Sequence, residues 1–256
     1  QLRTDQRKAF VPFVTAGDPD LDFTGELLAT LDRQGASILE VGFPYSDPIA
    51  DGPVIQASYT RALAQGLRVE QIFQHASQWQ SQLTAPLVAM VSYAIIHRRG
   101  PERFLDQACQ AGFAGAIVPD LLVEEADAFR QLCDARDFSL IQLVTPTTPR
   151  ERAVRIAESS SGFLYYVSVT GITGERRELP SDLVDQVGWL REQTELPICI
   201  GFGISNPEQV AQLREVADGV IVGSALVRCI ADGSSNDRQQ VLENVGKLAS
   251  QLIKAL

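Results

Sequence analysis

The chain has 256 residues, of which 45% are hydrophobic, which is enough for one large α/β domain or two ordinary ones. Its formal net charge of -10, from 32 acidic and 22 basic residues, argues against a nucleic-acid-binding protein but is compatible with a phosphorylated metabolite held by backbone amides. With only two histidines, a histidine-built metal site is not expected, and the four scattered cysteines argue against a disulfide framework. The sequence contains no run of about 20 apolar residues, the length that a membrane span requires. We therefore expect a soluble, cytoplasmic protein.

Short apolar, β-rich runs alternate with segments of helical period along the chain. The predicted strands cover residues 9–15, 37–43, 86–93, 115–120, 139–146, 162–169, 197–203 and 218–224. Apolar residues between them recur at three- and four-residue spacing, which is typical of helices packed on a sheet. Eight such units without a linker predict an α/β fold, a (β/α)8 TIM barrel forming one domain over residues 1–256. A doubly wound open sheet is the alternative.

The second strand is followed by the longest interval between predicted strands, a long insert with an extended loop and two helical segments. Side chains alternate across a strand, so Leu39, Val41 and Phe43 should face the helices. That leaves Glu40 pointing into the barrel near its carboxyl end, where desolvation should raise its pKa toward the range of proton exchange near neutrality. A glutamate tied to a lysine, an arginine or backbone amides is the structural alternative.

The loop after Glu40 reads SDPIADGP and carries Asp47 and Asp51. Asp-Pro and Asp-Gly are common turn formers, so either aspartate alone is explained by turn chemistry. Carboxylates gathered around a single strand end are less easily explained that way. Together they predict an acid–base site at the carboxyl end of the barrel.

Three glycine-bearing segments follow the last three predicted strands: TGITG, GFGIS and VGSA. Loops after strands seven and eight of such barrels often hold a phosphate on backbone amides. We expect Gly203, Gly223 and Ser224 to form this cradle, with Gly174 closing over it, unless the glycines only permit tight turns. The polar loop 170–180 after strand six predicts a mobile lid or an ordinary solvated loop.

The order of PFVTAGDPD, LEVGFPYSDPIADGPVIQ, VTPTTP, YYVSVTGITG, GFGIS and DGVIVGSA resembles the tryptophan synthase α subunit family over essentially the whole chain. The resemblance implies a lyase of tryptophan biosynthesis that cleaves indole-3-glycerol phosphate to indole and glyceraldehyde 3-phosphate. This retro-aldol reaction needs neither a metal nor a redox cofactor. By the same resemblance Glu40 is the general acid–base residue, and Asp51 accepts a hydrogen bond from the indole N–H.

Other positions match the family one at a time. The resemblance implies that the substrate is contacted by Phe13, Tyr165 and Phe202. It implies that the phosphate is bound by Gly174, Gly203, Gly223 and Ser224. From the residues alone, the aromatic side chains would be assigned to core packing.

The resemblance also implies a β-subunit partner in an α2β2 assembly. Pyridoxal phosphate belongs to that partner, so no cofactor is expected in this chain. Asp47, Pro48 and Thr173 match positions expected to couple the two subunits. The chain departs from the family after Tyr93, where an asparagine is missing, and at Leu122, where a proline is expected, which puts affinity for the partner in doubt.

Three alternatives to this hypothesis remain open at this point. A different phosphate-binding barrel enzyme would need a strand lysine or a cysteine–aspartate pair, and no predicted strand contains a lysine. An α-like chain could act mainly as an activator of a β subunit. A stand-alone indole-3-glycerol phosphate lyase would share the chemistry and differ only at the interface.

Overall fold

The computed structural model describes residues 8–48, 51–168, 181–201, 203–233 and 237–256. No helix within these ranges combines the length and the apolar character that crossing a membrane requires. The predicted lid 170–180 lies outside them.

The strands form one parallel sheet that closes on itself. They are β1 (Ala9–Thr15), β2 (Leu39–Gly42), β3 (Leu87–Met90), β4 (Phe113–Ile117), β5 (Ser139–Ile141), β6 (Leu143–Val144), β7 (Leu164–Val167), β8 (Ile198–Gly201) and β9 (Gly219–Val222). β1 pairs with both β2 and β9, so the first and last strands are neighbours. The predicted (β/α)8 barrel is confirmed.

The fifth predicted strand is split into β5 and β6 by a single residue, Gln142. β5 pairs with β4 and β6 pairs with β7, so this one segment completes the ring. The Gln142 carbonyl accepts a hydrogen bond from the Tyr165 amide (3.1 Å), and its buried side chain donates to Ser159 Oγ (3.1 Å). The nine short strands therefore occupy eight barrel positions.

Helices cover the outside of the sheet and fill the interval after β2. They are α1 (Leu21–Gln34), α2 (Pro53–Ala64), α3 (Val69–Gln80), α4 (Tyr93–Arg99), α5 (Pro101–Gln110), α6 (Asp127–Asp134), α7 (Arg150–Ser159), α8 (Ser181–Gln193), α9 (Pro207–Leu213), α10 (Ser224–Asp232) and α11 (Arg238–Ala255). α2 and α3 are the two helices of the predicted insert. Pro53 occupies the first turn of α2, where a missing N–H costs nothing, so this helix begins two residues after Asp51.

α4 was not predicted, because the third strand was expected to continue to Tyr93. Ser92 instead caps a helix by accepting a hydrogen bond from the Ala94 amide (3.2 Å). The Asp120 carboxylate, from the loop after β4, accepts from Ser92 Oγ (2.6 Å) and from the Tyr93 amide (2.7 Å). A contact with a residue 27 or 28 positions away thus ends the strand and starts the helix.

The buried side chains form two layers separated by the sheet. The outer layer lies between strands and helices and includes Leu39, Val41 and Phe43, as the alternation predicts. The inner layer fills the barrel and includes Val11, Phe13 and other inward residues. Because the odd and even positions of β2 are divided this way, Glu40 points into the barrel.

Candidate active site

A cavity opens at the carboxyl ends of the strands and contains about 650 Å³ of empty space, part of it open to solvent. Seven of the residues predicted to act on or bind substrate line it: Phe13, Glu40, Asp51, Tyr165, Gly203, Gly223 and Ser224. Residues separated by more than 200 positions in the sequence therefore meet in one space.

Glu40 is the most deeply buried charged side chain of this cavity, with 1% of its surface exposed. It lies beside Phe13 of β1 in the strand register. Among the described residues, Glu40 Oε2 is buried and has no hydrogen-bond partner, which is unlike a glutamate held by a lysine or backbone amides. Burial, and then the charge of Asp51, raise the pKa of Glu40 to about 8.

Asp51 is held in the loop that precedes α2. Its amide donates to the Pro48 carbonyl (3.1 Å), and its carbonyl accepts from Gln56 Nε2 (2.8 Å), which also bonds the Pro48 carbonyl (3.2 Å). Its Oδ2 is buried without a hydrogen-bond partner in the described structure. Burial raises the pKa of Asp51 to about 6. The backbone of this aspartate is fixed, while its carboxylate remains available.

Two aromatic residues form walls of the cavity because glycines on neighbouring strands make room for them. A Cβ atom on Gly42 would lie 2.5 Å from Phe13 Cζ, and one on Gly201 would lie 2.5 Å from the Tyr165 hydroxyl. Any larger residue would displace the rings. The requirement for glycine at these inward strand positions was not recognised in the sequence, although glycine at such a position is a signal for close packing.

Gly203, Gly223 and Ser224 also line the cavity. Gly203 has φ = 79°, a conformation that favours glycine, and Gly223 immediately precedes α10. A Cβ on Gly223 would contact Phe13 at 3.4 Å, so its backbone closely approaches the first strand. The first amides of a helix lack intrahelical partners and favour an anion, and the first turn of α10 carries no acidic side chain.

The remaining predicted positions do not line the cavity or are not described. Phe202, Gly174 and Thr173 lie outside the described residues. Asp47 is exposed and Pro48 is half-buried on the loop after β2, and Asp47 accepts a hydrogen bond from Ser46 Oγ (2.9 Å). Their predicted part in coupling to a partner stays a prediction.

Sequence reasoning missed the apolar part of the lining. These side chains come from inward strand positions and from the loops and helix that follow: Ile55, Met90, Pro119, Leu143, Val167 and Ile221. The alternation of inward and outward positions along each strand could have identified the strand members. They give the cavity an apolar lining besides its two carboxyl groups.

The comparisons with known proteins agree with this geometry. The sequence model of the family described as "Tryptophan synthase alpha chain" matches residues 1–255. A tryptophan synthase alpha chain from Rhodopirellula baltica is 61% identical over 234 residues, covering 90% of this chain and 84% of the relative. The structure of tryptophan synthase subunit alpha from Legionella pneumophila superposes with a TM-score of 0.90 at 36% identity, over 99% of this chain and 94% of that one. A chain from a tryptophan synthase complex of Pyrococcus furiosus gives 0.87 at 34% identity, over 96% and 98%.

Proposed function

Because the chain belongs to the tryptophan synthase alpha chain family, we propose that it is a lyase that cleaves indole-3-glycerol phosphate and that Glu40 and Asp51 carry out the acid–base steps of this cleavage. The observation that supports the assignment is a pair of buried carboxyl groups in one cavity, each with an oxygen that has no described hydrogen-bond partner. Their pKa values of about 8 and about 6 give them different protonation states near pH 7.

Glu40 is the proton carrier in this proposal. With its pKa at about 8, it is mostly protonated at pH 7 and donates its proton to C3 of the indole ring. The resulting carboxylate takes the proton of the glycerol hydroxyl next to the bond that breaks. The electron pair of the carbon–carbon bond returns to the ring, and the products are indole and glyceraldehyde 3-phosphate. Glu40 ends protonated, as it began.

Asp51 stabilises the intermediate. At pH 7 it is mostly ionised, and its carboxylate accepts a hydrogen bond from the indole N–H, which becomes more acidic as C3 is protonated. A fixed negative charge beside developing positive charge lowers the barrier electrostatically. The backbone bonds that hold the loop from Pro48 to Asp51 keep this charge in place.

The phosphate of the substrate binds at the opposite end of the cavity, on backbone amides around Gly203, Gly223 and Ser224 at the start of α10. Phe13 and Tyr165 flank the indole ring. In this orientation the glycerol chain runs between the phosphate cradle and Glu40. The length of the cavity thus separates the anionic end of the substrate from the two carboxyl groups.

We also propose that the chain pairs with a β subunit that carries the pyridoxal phosphate of the assembly. The relative from Pyrococcus furiosus was solved as a tryptophan synthase complex. Leu122, on the carboxyl side of β4, has 51% of its surface exposed, and Asp47 lies on the loop after β2. Both face the same end of the barrel as the cavity, where a partner could take up indole as it is released.

Indole release from indole-3-glycerol phosphate tests the proposal. We expect Glu40→Gln to lower kcat at least about 100-fold and Asp51→Asn to lower it strongly as well. Glu243→Gln, which changes an exposed glutamate on α11, is the matched control and should leave kcat unchanged. The unaltered chain should release indole faster when a β subunit is added.

Three results would each contradict a part of this proposal. Full activity in Glu40→Gln would remove Glu40 from the chemistry. No indole from the folded, unaltered chain, with or without the β subunit, would contradict the lyase itself, whereas release that the β subunit does not change would contradict only the coupling.

A further inference from the structure

A third buried polar atom without a described hydrogen-bond partner accompanies the two carboxyl groups. It is the hydroxyl of Tyr59, a residue with 1% of its surface exposed. Burying a hydroxyl without a partner is costly, and native proteins rarely do so without a functional reason. The steps proposed above use the carboxyl groups of Glu40 and Asp51 but give this hydroxyl no part.

The fold places Tyr59 beside the cavity through α2. This helix begins two residues after Asp51, and its residues Ile55 and Tyr59 lie one turn apart on the buried face. Ile55 lines the cavity, and both side chains belong to the layer inside the barrel. The loop and the first turns of α2 thus carry the aspartate and the tyrosine into the same region.

Close packing against β2 fixes the position of the hydroxyl. It lies 2.9 Å from the point where a Cβ on Gly42 would stand, and Phe13 Cζ lies 2.5 Å from that same point. Gly42 and Glu40 share the inward face of β2. The Tyr59 hydroxyl is therefore at the inner wall of the barrel, at the edge of the Phe13 ring.

The titratable groups around this region are acids and phenols from several elements. They are Glu40 of β2, Tyr45 and Asp51 of the loop, Tyr165 of β7 and Cys199 of β8, with Asp120 acting on Tyr45 from the loop after β4. Burial first, and then the charges of Asp51, Tyr45 and Glu40, hold the pKa of Tyr59 well above its ordinary value. The hydroxyl is therefore a neutral donor at any working pH, and the charge that acts on it most strongly is that of Asp51.

We propose that Tyr59 is a positioning residue for the cleavage, whose hydroxyl donates a hydrogen bond to the carboxylate of Asp51 when substrate is bound. The inference rests on the proposed function of Asp51. Such a bond favours the ionised carboxylate and fixes one of its oxygens, which leaves the other directed at the indole N–H. It also satisfies two buried atoms that have no hydrogen-bond partner among the described residues.

The variant Tyr59→Phe tests this, because it removes one oxygen and keeps the ring. We expect kcat at pH 7 to fall about 10-fold, the usual effect of losing a hydrogen bond to a charged group, while KM changes less than about twofold. The acid limb of the kcat profile should move to higher pH by about one unit, since kcat reports groups in the substrate complex. The acid limb of kcat/KM should stay where it is, because the free chain lacks the bond.

Thermal unfolding separates positioning from a structural role. Tyr59→Phe replaces an unpaired buried hydroxyl, so its Tm should be equal to or higher than that of the unaltered chain. The matched control is Tyr166→Phe, because Tyr166 is equally buried but its hydroxyl donates to Gln186 Oε1 (2.6 Å). That control should lose about 2–4 °C in Tm and keep its activity.

A double variant tests whether Tyr59 acts through Asp51. If it does, Asp51→Asn with Tyr59→Phe should have the same kcat as Asp51→Asn alone. Multiplied losses would overturn the inference, as would an unchanged kcat pH profile in Tyr59→Phe or a fall in kcat accompanied by a fall in Tm. These results are distinct from failure of the proposed function, which would appear as no cleavage by the unaltered chain.

Discussion

At the residue scale, two carboxyl groups of similar intrinsic acidity differ because their surroundings differ. Glu40 is enclosed by the barrel interior and lies near the charge of Asp51, so its pKa rises to about 8. Asp51 lies in the loop nearer the mouth, and burial alone raises its pKa to about 6. This separation supports the proposal in which Glu40 is the acid and Asp51 the anion.

This separation predicts a bell-shaped dependence of kcat/KM on pH, because kcat/KM reports the pKa values of the chain without substrate. Activity requires ionised Asp51, so it should fall as the pH drops below about 6. It also requires protonated Glu40, so it should fall as the pH rises above about 8. The two apparent values belong to the coupled pair. Steady-state rates between pH 5 and pH 9 measure the profile, and a rate that stays level across this range would contradict the assignment of acid and anion.

The sequence predicts much of the site at this scale because simple rules place its residues. Alternation along β2 puts Glu40 inside, and the strand ends bring Gly203 and Gly223 to the same edge. Tyr59 could not be found this way. A tyrosine on the apolar face of a helix has the pattern of a core residue, and only the packing against Gly42 shows that its hydroxyl reaches the barrel wall.

At the element scale, the positions at which helices begin affect both the fold and the proposed ligand site. The last strand was predicted to continue to Ser224, whereas β9 ends at Val222 and α10 begins at Ser224. The start of α4 does not follow from its local sequence, because Asp120 caps it from another loop. The division between β5 and β6 at Gln142 was missed as well, because the inward and outward alternation continues through this residue, with Ile141 and Leu143 on the inner side.

The phosphate cradle predicts opposite effects of one substitution on helix and ligand. Ser224→Asp adds a negative charge to the first turn of α10, which the helix dipole favours, so Tm should hold or rise. The same charge repels a phosphate, so KM for indole-3-glycerol phosphate should rise at least about 10-fold with a smaller change in kcat. Gln240→Asp, in the first turn of α11, is the control and should leave KM unchanged. An unaltered KM in Ser224→Asp would place the phosphate elsewhere.

At the scale of the whole molecule, the two ends of the barrel differ: one holds the cavity, and the other holds contacts that stabilise the fold. The carboxyl end holds the cavity and the two buried carboxyl oxygens that have no hydrogen-bond partner in the described part of the chain. At the amino end, Asp218 accepts hydrogen bonds from Arg191 (2.6 Å) and from the Ile198 amide (2.9 Å), and its carbonyl accepts from the Ala9 amide (2.8 Å). Residues at this end therefore join α8, β8, β9 and β1 by satisfied contacts.

Asp218→Ala should consequently affect stability rather than catalysis. The substitution removes a mostly buried carboxylate and leaves Arg191 and the Ile198 amide without this acceptor. We expect it to lower the free energy of unfolding by about 2–4 kcal/mol. Urea unfolding measures this cost, and kcat/KM per folded molecule should stay within about twofold. Glu215→Ala removes an exposed ion pair with Arg214 and should change stability by less than about 1 kcal/mol. A large loss of kcat/KM in Asp218→Ala would show that the two ends are not independent.

The pairing of β1 with β9 has a consequence for the synthesis and folding of the chain. Phe13 and Gly223 of the proposed phosphate cradle are in contact range, yet they are 210 positions apart in the chain. During synthesis the N-terminal half can fold its strands and helices, but it cannot bind substrate until the last strand leaves the ribosome and docks on the first. Catalytic activity therefore requires the last strand. A product truncated before it would have no activity, even if its N-terminal half had folded.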